Sequence, residues 1–256
     1  MPFADESTLG YHSSNEPVAS LWVHSIDPDG LRATTLRRAL SLLTPEEQAR
    51  AAHLRSVRHR SRWIMAHALL RGELAAYLGC APEMVRYVYS PAGRPSLQPT
   101  AALPHPADFN LSHSGDTLLL GITGRGRIGV DIEAWDVERA ADREPVWETL
   151  SDRETEWVRT QGDRFAAFVR LWTRKEAVVK ATGAGLPDHL EEIDVLSPRG
   201  SSEVLIRMSD ELTVRVVDVP APRGFHAAVA LTMSDTAVQV VATAPRGSHT
   251  SHLLVT

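Results

Sequence analysis

Apolar and polar positions change period several times along the chain, and each change predicts an element. ASLWVHSI reads as a strand. Thr44-Pro45-Glu46-Glu47 is a helix start, with Thr as N-cap, Pro in the first helical position and Glu closing a capping box. A longer helical pattern runs from about Val57 to Leu78 and stops at Gly79. VRYVY is a short strand, and PAGRPSLQPTAALPHPAD a Pro-rich loop. Three strands follow in close succession: DFNLSHS, TLLLGIT and RIGVDIEAW. Helices are then predicted near Glu144–Leu150, from a Ser151 cap with Glu154 in its third position, and from about Asp163 to Thr182. EEIDVLS, EVLIRM, LTVRVVDV, HAAVALTM and AVQVVAT read as strands.

Each half therefore combines helices with antiparallel-looking strands. The class is α+β, with two similar subdomains, 18–125 and 126–244, meeting near residues 110–135. Polar segments at 1–17 and 245–256 read as mobile tails. A chain of 256 residues with 43% apolar composition can bury a sizeable core.

Charge changes the picture in two ways. The net charge of −5 argues against nucleic acid as a partner. Local charge is uneven: Arg50, Arg55, Arg58, Arg60 and Arg62 cluster, with His53 and His59 among them. Of the 27 strong bases only two, Lys175 and Lys180, are lysines, both in LWTRKEAVVKATGAGL. The single cysteine, Cys80, excludes an internal disulfide and reads as a small buried hydrophobe. No run is long and apolar enough for a membrane span, and the acidic start lacks a signal-peptide pattern. The expectation is a cytoplasmic protein with no membrane partner.

Three stretches carry candidate chemistry. In IGVDIEAW, strand alternation puts Ile128, Val130 and Ile132 on one face and Asp131 and Glu133 on the other. Adjacent carboxylates repel unless a cation lies between them, and hard oxygens suit Mg²⁺. Read alone, the same pair is more often a solvated strand face. In LWTRKEAVVK, Trp172, Glu176 and Lys180 form one helical stripe, and Glu176–Lys180 is a favourable i,i+4 pair. The plain alternative is a surface ion pair worth a few tenths of a kcal/mol. In FNLSHSGD, Ser112, His113, Ser114 and the Gly115 amide make a compact donor cluster, a phosphate cradle or an ordinary polar turn. Asp116 and Asp136 read as turn and surface residues. No HExxH, CxxC, Walker A or GxSxG motif is present.

In this order and spacing, FNLSHSGD, IGVDIE and LWTRKEAVVKATGAGL together resemble the 4′-phosphopantetheinyl transferases, and most the long surfactin-synthetase-activating type. The resemblance covers roughly residues 40–235. It implies two related units fused in a pseudo-twofold monomer with the active site at their interface. It also implies transfer of phosphopantetheine from coenzyme A to a serine of an apo acyl or peptidyl carrier protein, serving polyketide, nonribosomal peptide or fatty acid synthesis. Carried over by residue, Asp131, Glu133 and Glu176 match the ligands of Mg²⁺ (or Mn²⁺). Glu176 is the candidate base, directly or through water, and Lys180 faces the pyrophosphate. Ser112 and His113 match coenzyme A phosphate contacts. Arg94 and Pro95 of GRP match a nucleotide-side motif. Arg50 and Arg62 match basic positions around the 3′-phosphate. Glu47 departs, standing where close relatives often carry lysine, which implies a 3′-phosphate grip that is either weaker or borne by Arg50, Arg55 and Arg62. Lys175 is assigned no chemistry: it faces solvent or holds the fold. The competing readings are a non-catalytic coenzyme A-binding protein of the same fold and a Mg²⁺-dependent phosphohydrolase.

Overall fold

A computed structural model describes residues 18–91, 93–99, 107–135, 145–183, 185, 189–197, 201–232, 237–242 and 251–255. The expected tail 1–17 and Asp136 lie outside these residues.

The order is β1 (Val18–Ser25), α1 (Ala33–Ser41), α2 (Pro45–His53), α3 (Val57–Leu78), β2 (Tyr87–Tyr89), β3 (Pro95–Leu97), β4 (Asp108–Ser114), β5 (Thr117–Thr123) and β6 (Ile128–Ala134). Then come α4 (Asp152–Thr160), α5 (Arg164–Thr182), β7 (Glu203–Arg207), β8 (Thr213–Asp218), β9 (Phe225–Leu231), β10 (Ala237–Ala242) and β11 (Ser251–Val255).

The helix starts follow from local capping. Thr44 accepts from the Glu47 amide while Glu47 returns a carboxylate to the Thr44 amide, and Ser151 and Glu154 repeat this at α4. Ser56 and Asp163 cap α3 and α5, and both long helices end on a left-handed glycine, Gly79 and Gly183. Such caps contribute about 1 kcal/mol each. Helix α1 is absent from the sequence reading because its N-cap, Arg32, makes no side-chain cap. Instead, Leu36, Ala39 and Leu40 pack on Ile64 and Ala68 of α3.

One sheet has the order β11-β10-β1-β5-β4, and a second β6-β9-β8-β7. Every pairing is antiparallel except β1 with β10. The two sheets stack face to face: Leu21 and Val23 of β1 and Leu119 of β5 bury against Ile128, Val130 and Ile132 of β6. On the far face of the first sheet, Leu120 and Ile122 pack with Leu70 and Leu74 of α3. On the far face of the second, Ala228 and Ala230 pack with Val178 and Ala181 of α5. The layers run α3, sheet, sheet, α5, so all seven residues of β5 are buried.

Several expectations are corrected. The C-terminal strand Ala237–Ala242 pairs with β1 and so belongs to the first sheet, and residues 251–255 of the expected tail extend that sheet. Glu144–Leu150 contains only a 3₁₀ turn, Trp147–Thr149. EEIDVLS begins as a 3₁₀ turn at Leu190–Glu192 and forms no strand. Cys80, just beyond the left-handed Gly79, is exposed.

Candidate active site

Asp131 and Glu133 lie on the face of β6 turned away from the apolar sheet interface. Helix α5 crosses that face at backbone contact. A Cβ on Gly129 would fall 2.1 Å from the Ala177 carbonyl oxygen and 2.3 Å from the Ala181 nitrogen. Only glycine permits this approach, which brings Glu176 and Lys180 down onto the two strand carboxylates.

Lys180 Nζ donates to Asp131 Oδ1 at 2.6 Å and to Ser112 Oγ at 3.2 Å. Ser112 in turn donates to Asp131 Oδ1 at 2.7 Å. Ser114 donates to Glu133 Oε2 at 2.9 Å. Lys180 thus pairs with the strand carboxylate rather than with Glu176, its helical neighbour, which sets aside the surface-pair reading. Asp131 is 2% exposed, and its Oδ2 is buried with no hydrogen-bond partner.

Burial raises the proton affinity of Glu133 above the usual carboxylate range. The Asp131 charge adds to this, the Ser114 hydrogen bond and Lys180 offset part of it, and Glu176 raises it further. Burial likewise raises Glu176, against the pull of Lys180 and with a push from Asp131. The three carboxylates therefore feel one another as an under-neutralised cluster.

These residues fit a divalent cation. Buried unpartnered oxygens are rare in native proteins, and a hard cation would satisfy the Asp131 oxygen while relieving both glutamates. Here Lys180 supplies the local positive charge, and among the described residues no three His, Cys, Asp or Glu side chains form a ready ligating group.

Lys175, adjacent to Glu176, points the other way. It is fully buried, pairs with Glu154 Oε2 at 2.8 Å and donates to the carbonyls of Leu190 at 3.0 Å and Ile193 at 2.5 Å. All three ammonium protons are thereby used. Glu154 also receives the Ser151 and Val195 amides. The first half repeats the device. Glu47 pairs with Arg71 at 2.7 Å, and Arg71 donates to the carbonyls of Pro82 and Val85. In both halves a capping-box glutamate meets a cation on the long helix, which ties down the first residue and the C-cap of a 3₁₀ turn. Glu47 is therefore an interior strut residue, 6% exposed, and not a substitute at a phosphate-binding position.

The nucleotide-side candidates divide into two groups. His113 is exposed on the face of β4 opposite Ser112 and Ser114. Arg62 lies beside it, donating to the Gly115 carbonyl at 2.6 Å. Arg50 is exposed, its guanidinium 5.5 Å from the Tyr89 ring centroid. Arg94, by contrast, is committed inside the protein. It pairs with Asp108 at 2.6 Å, donates to the Ile128 carbonyl at 2.8 Å and reaches the Lys180 carbonyl. Pro95 opens β3. Asp116 forms the β4–β5 turn and pairs with Arg58.

Sequence reasoning missed Glu154 and Gly129 as site-shaping residues, and read Ser114 as a phosphate or turn donor where it donates to Glu133. A glycine inside a strand pattern was the available signal for Gly129. The polar alternation Asp108, Asn110, Ser112, Ser114 was the signal for the strand that serves β6.

Comparison with known proteins shows the family of the chain. Residues 127–230, which contain Asp131, Glu133, Glu176 and Lys180, match the 4′-phosphopantetheinyl transferase superfamily. The chain is 35% identical to the 4′-phosphopantetheinyl transferase HetI of Nostoc sp., over 62% of this chain and 67% of that protein. It is 38% identical to the 4′-phosphopantetheinyl transferase AcpT of Salmonella typhimurium, over 48% of this chain and 59% of that one. It is 28% identical to the human L-aminoadipate-semialdehyde dehydrogenase-phosphopantetheinyl transferase, over 62% and 55%. The chain belongs to the 4′-phosphopantetheinyl transferase superfamily. It spans between 55% and 67% of the lengths of these relatives.

Proposed function

We propose that the protein transfers 4′-phosphopantetheine from coenzyme A to a serine hydroxyl of an apo acyl or peptidyl carrier protein, releasing adenosine 3′,5′-bisphosphate. The observation that carries this reading is the convergence of Glu176 and Lys180 on Asp131 and Glu133, with the buried Asp131 Oδ2 left unpartnered. Asp131, Glu133 and Glu176 would hold Mg²⁺, which supplies charge neutralisation for the coenzyme A diphosphate.

The chain's own residues do the rest. Glu176, whose proton affinity is raised by burial, accepts the serine proton as the serine oxygen bonds to phosphorus. The bond from that phosphorus to the bridging oxygen breaks, and the departing bisphosphate is stabilised by the Lys180 ammonium, a compact point charge. His113, Arg62 and Arg50 supply donors on the nucleotide side, where arginine can grip phosphate bidentately.

The long, pseudo-twofold type is part of the proposal. Its support is the symmetric layer order and the repeated strut, Glu47–Arg71 in one half and Glu154–Lys175 in the other. A monomer is part of the same proposal, supported by a site that draws β4, β6 and α5 from one chain.

The test incubates the purified chain with coenzyme A, Mg²⁺ and an apo carrier panel from fatty acid, polyketide and nonribosomal peptide synthases, read by intact-mass spectrometry. The expected product is a carrier heavier by one phosphopantetheine, absent with Glu176→Ala. Free phosphopantetheine released without any carrier would instead identify a hydrolase.

A further inference from the structure

We propose that Ser112 and Ser114 are positioning residues that hold Asp131 and Glu133 in the orientation needed to bind the metal, so that the edge strand of one sheet aims the ligands of the other. This rests on the functional reading above and adds a task for two residues of the Ser-His-Ser motif.

The argument begins with an edge problem. Strands β4 and β6 are edge strands of different sheets and share no backbone ladder. An edge strand exposes unpaired amides that must find other acceptors. Here β4 supplies them from side chains at every second residue. Asp108 accepts from the Ile128 amide at 2.8 Å, Asn110 from Val130 at 2.9 Å and Ser114 from Ala134 at 3.1 Å. These three, with Ser112 between them reaching the Asp131 carboxylate, form a polar comb that sets the two strands in register.

Two teeth of the comb reach the carboxylates themselves. A carboxylate rotates about its last torsion in a broad twofold well, so something must decide which oxygen faces the site. For Asp131 two donors fix Oδ1, Lys180 at 2.6 Å and Ser112, 6% exposed, at 2.7 Å, with Ser112 also accepting from Lys180 and so holding the ammonium in place. Oδ2 is left buried and unpartnered. For Glu133, Ser114 accepts the Ala134 amide and so has one direction left for its own proton, toward Oε2. His113 lies between them on the opposite face of the strand and is exposed. The motif therefore divides its labour: the histidine serves the nucleotide side, and the serines serve the carboxylates.

The experiment measures Mn²⁺ binding to the purified chain by the electron paramagnetic resonance of free Mn²⁺. Coenzyme A binding is measured separately by calorimetry without metal. Ser112→Ala and Ser114→Ala should each weaken Mn²⁺ by about 10–100-fold, the usual effect of losing a ligand-orienting partner, and Ser114→Ala should leave metal-free coenzyme A affinity unchanged. Ser114→Thr keeps the hydroxyl and should restore Mn²⁺ affinity. Asn110→Ala removes a tooth that touches no carboxylate. It should lower the unfolding midpoint and leave Mn²⁺ affinity in place, separating aim from general stitching.

Unchanged Mn²⁺ affinity in both alanine variants would overturn the proposal, as would a parallel fall in coenzyme A affinity in Ser114→Ala or an equal Mn²⁺ loss in Asn110→Ala. A wild-type chain that binds Mn²⁺ but transfers nothing to any carrier would instead overturn the functional reading, with the Mn²⁺ titrations still deciding the role of the serines.

Discussion

Lys175 Nζ lies 2.8 Å from Glu154 Oε2, with both side chains at 0% exposure. Breaking such a pair leaves an uncompensated buried charge and costs about 3–5 kcal/mol. Lys175→Met should destabilise by that amount in urea unfolding. The double variant Glu154→Gln/Lys175→Met should recover most of it, because no lone charge remains.

The matching pair in the first half makes Glu47→Lys a distinct prediction. If Glu47 lined the phosphate site, a lysine there would tighten coenzyme A. It faces Arg71 at 2.7 Å instead, so the change sets two cations together in the interior. Loss of several kcal/mol, on the order of 3–5, with no gain in coenzyme A affinity is expected from unfolding and calorimetry.

Gly129→Ala tests the contact that brings helix to strand. The added methyl meets helix backbone, which cannot rotate away. Moving α5 outward by about 1 Å should reduce kcat/KM on the order of 10²-fold. Wild-type turnover with a folded variant would show that the approach is not needed for chemistry.

Lys180→Arg tests whether an ammonium is needed. A planar guanidinium cannot reproduce the bonds to Asp131 and Ser112 in the same space. A kcat reduced by about 10²-fold or more is expected under saturating coenzyme A. An unchanged kcat would remove the reason for a lysine in this arginine-rich chain.

Glu73, half-buried on α3, has its proton affinity raised by burial to about 6, while burial pushes neighbouring His24 down to about 4. The histidine is therefore neutral at pH 7 and offers Glu73 no charge. The folded protein holds the Glu73 proton to higher pH than the unfolded chain, so this stabilisation is full below about pH 4.5 and lost as pH rises through about 6. Glu73→Gln should be more stable than wild type at pH 7.5 by up to about 2 kcal/mol, and equal to it at pH 4. A pH-independent difference in thermal unfolding would contradict this.

Much of the architecture was legible along the chain because it depends on neighbours in sequence. Capping boxes at Thr44 and Ser151, stop glycines at 79 and 183, and the alternation of Ile128, Val130 and Ile132 act over a few residues. Those signals place Asp131 and Glu133 on one strand face, and Glu176 and Lys180 on one helix stripe. What they could not assign is which distant group meets which. Helical spacing sets Lys180 on the Glu176 stripe and Lys175 off it, yet it does not show that Lys175 neutralises the buried Glu154 and Lys180 the strand carboxylate Asp131. Likewise, Glu47 is a plausible surface residue until Arg71 is folded against it, and the serines flanking His113 look like turn polarity until β6 lies alongside. The β10 strand carries the same apolar signature whichever sheet it joins. Such outcomes are settled by stacking two sheets with their edges side by side, where desolvation forces each buried charge and each unpaired amide to find a partner from another element.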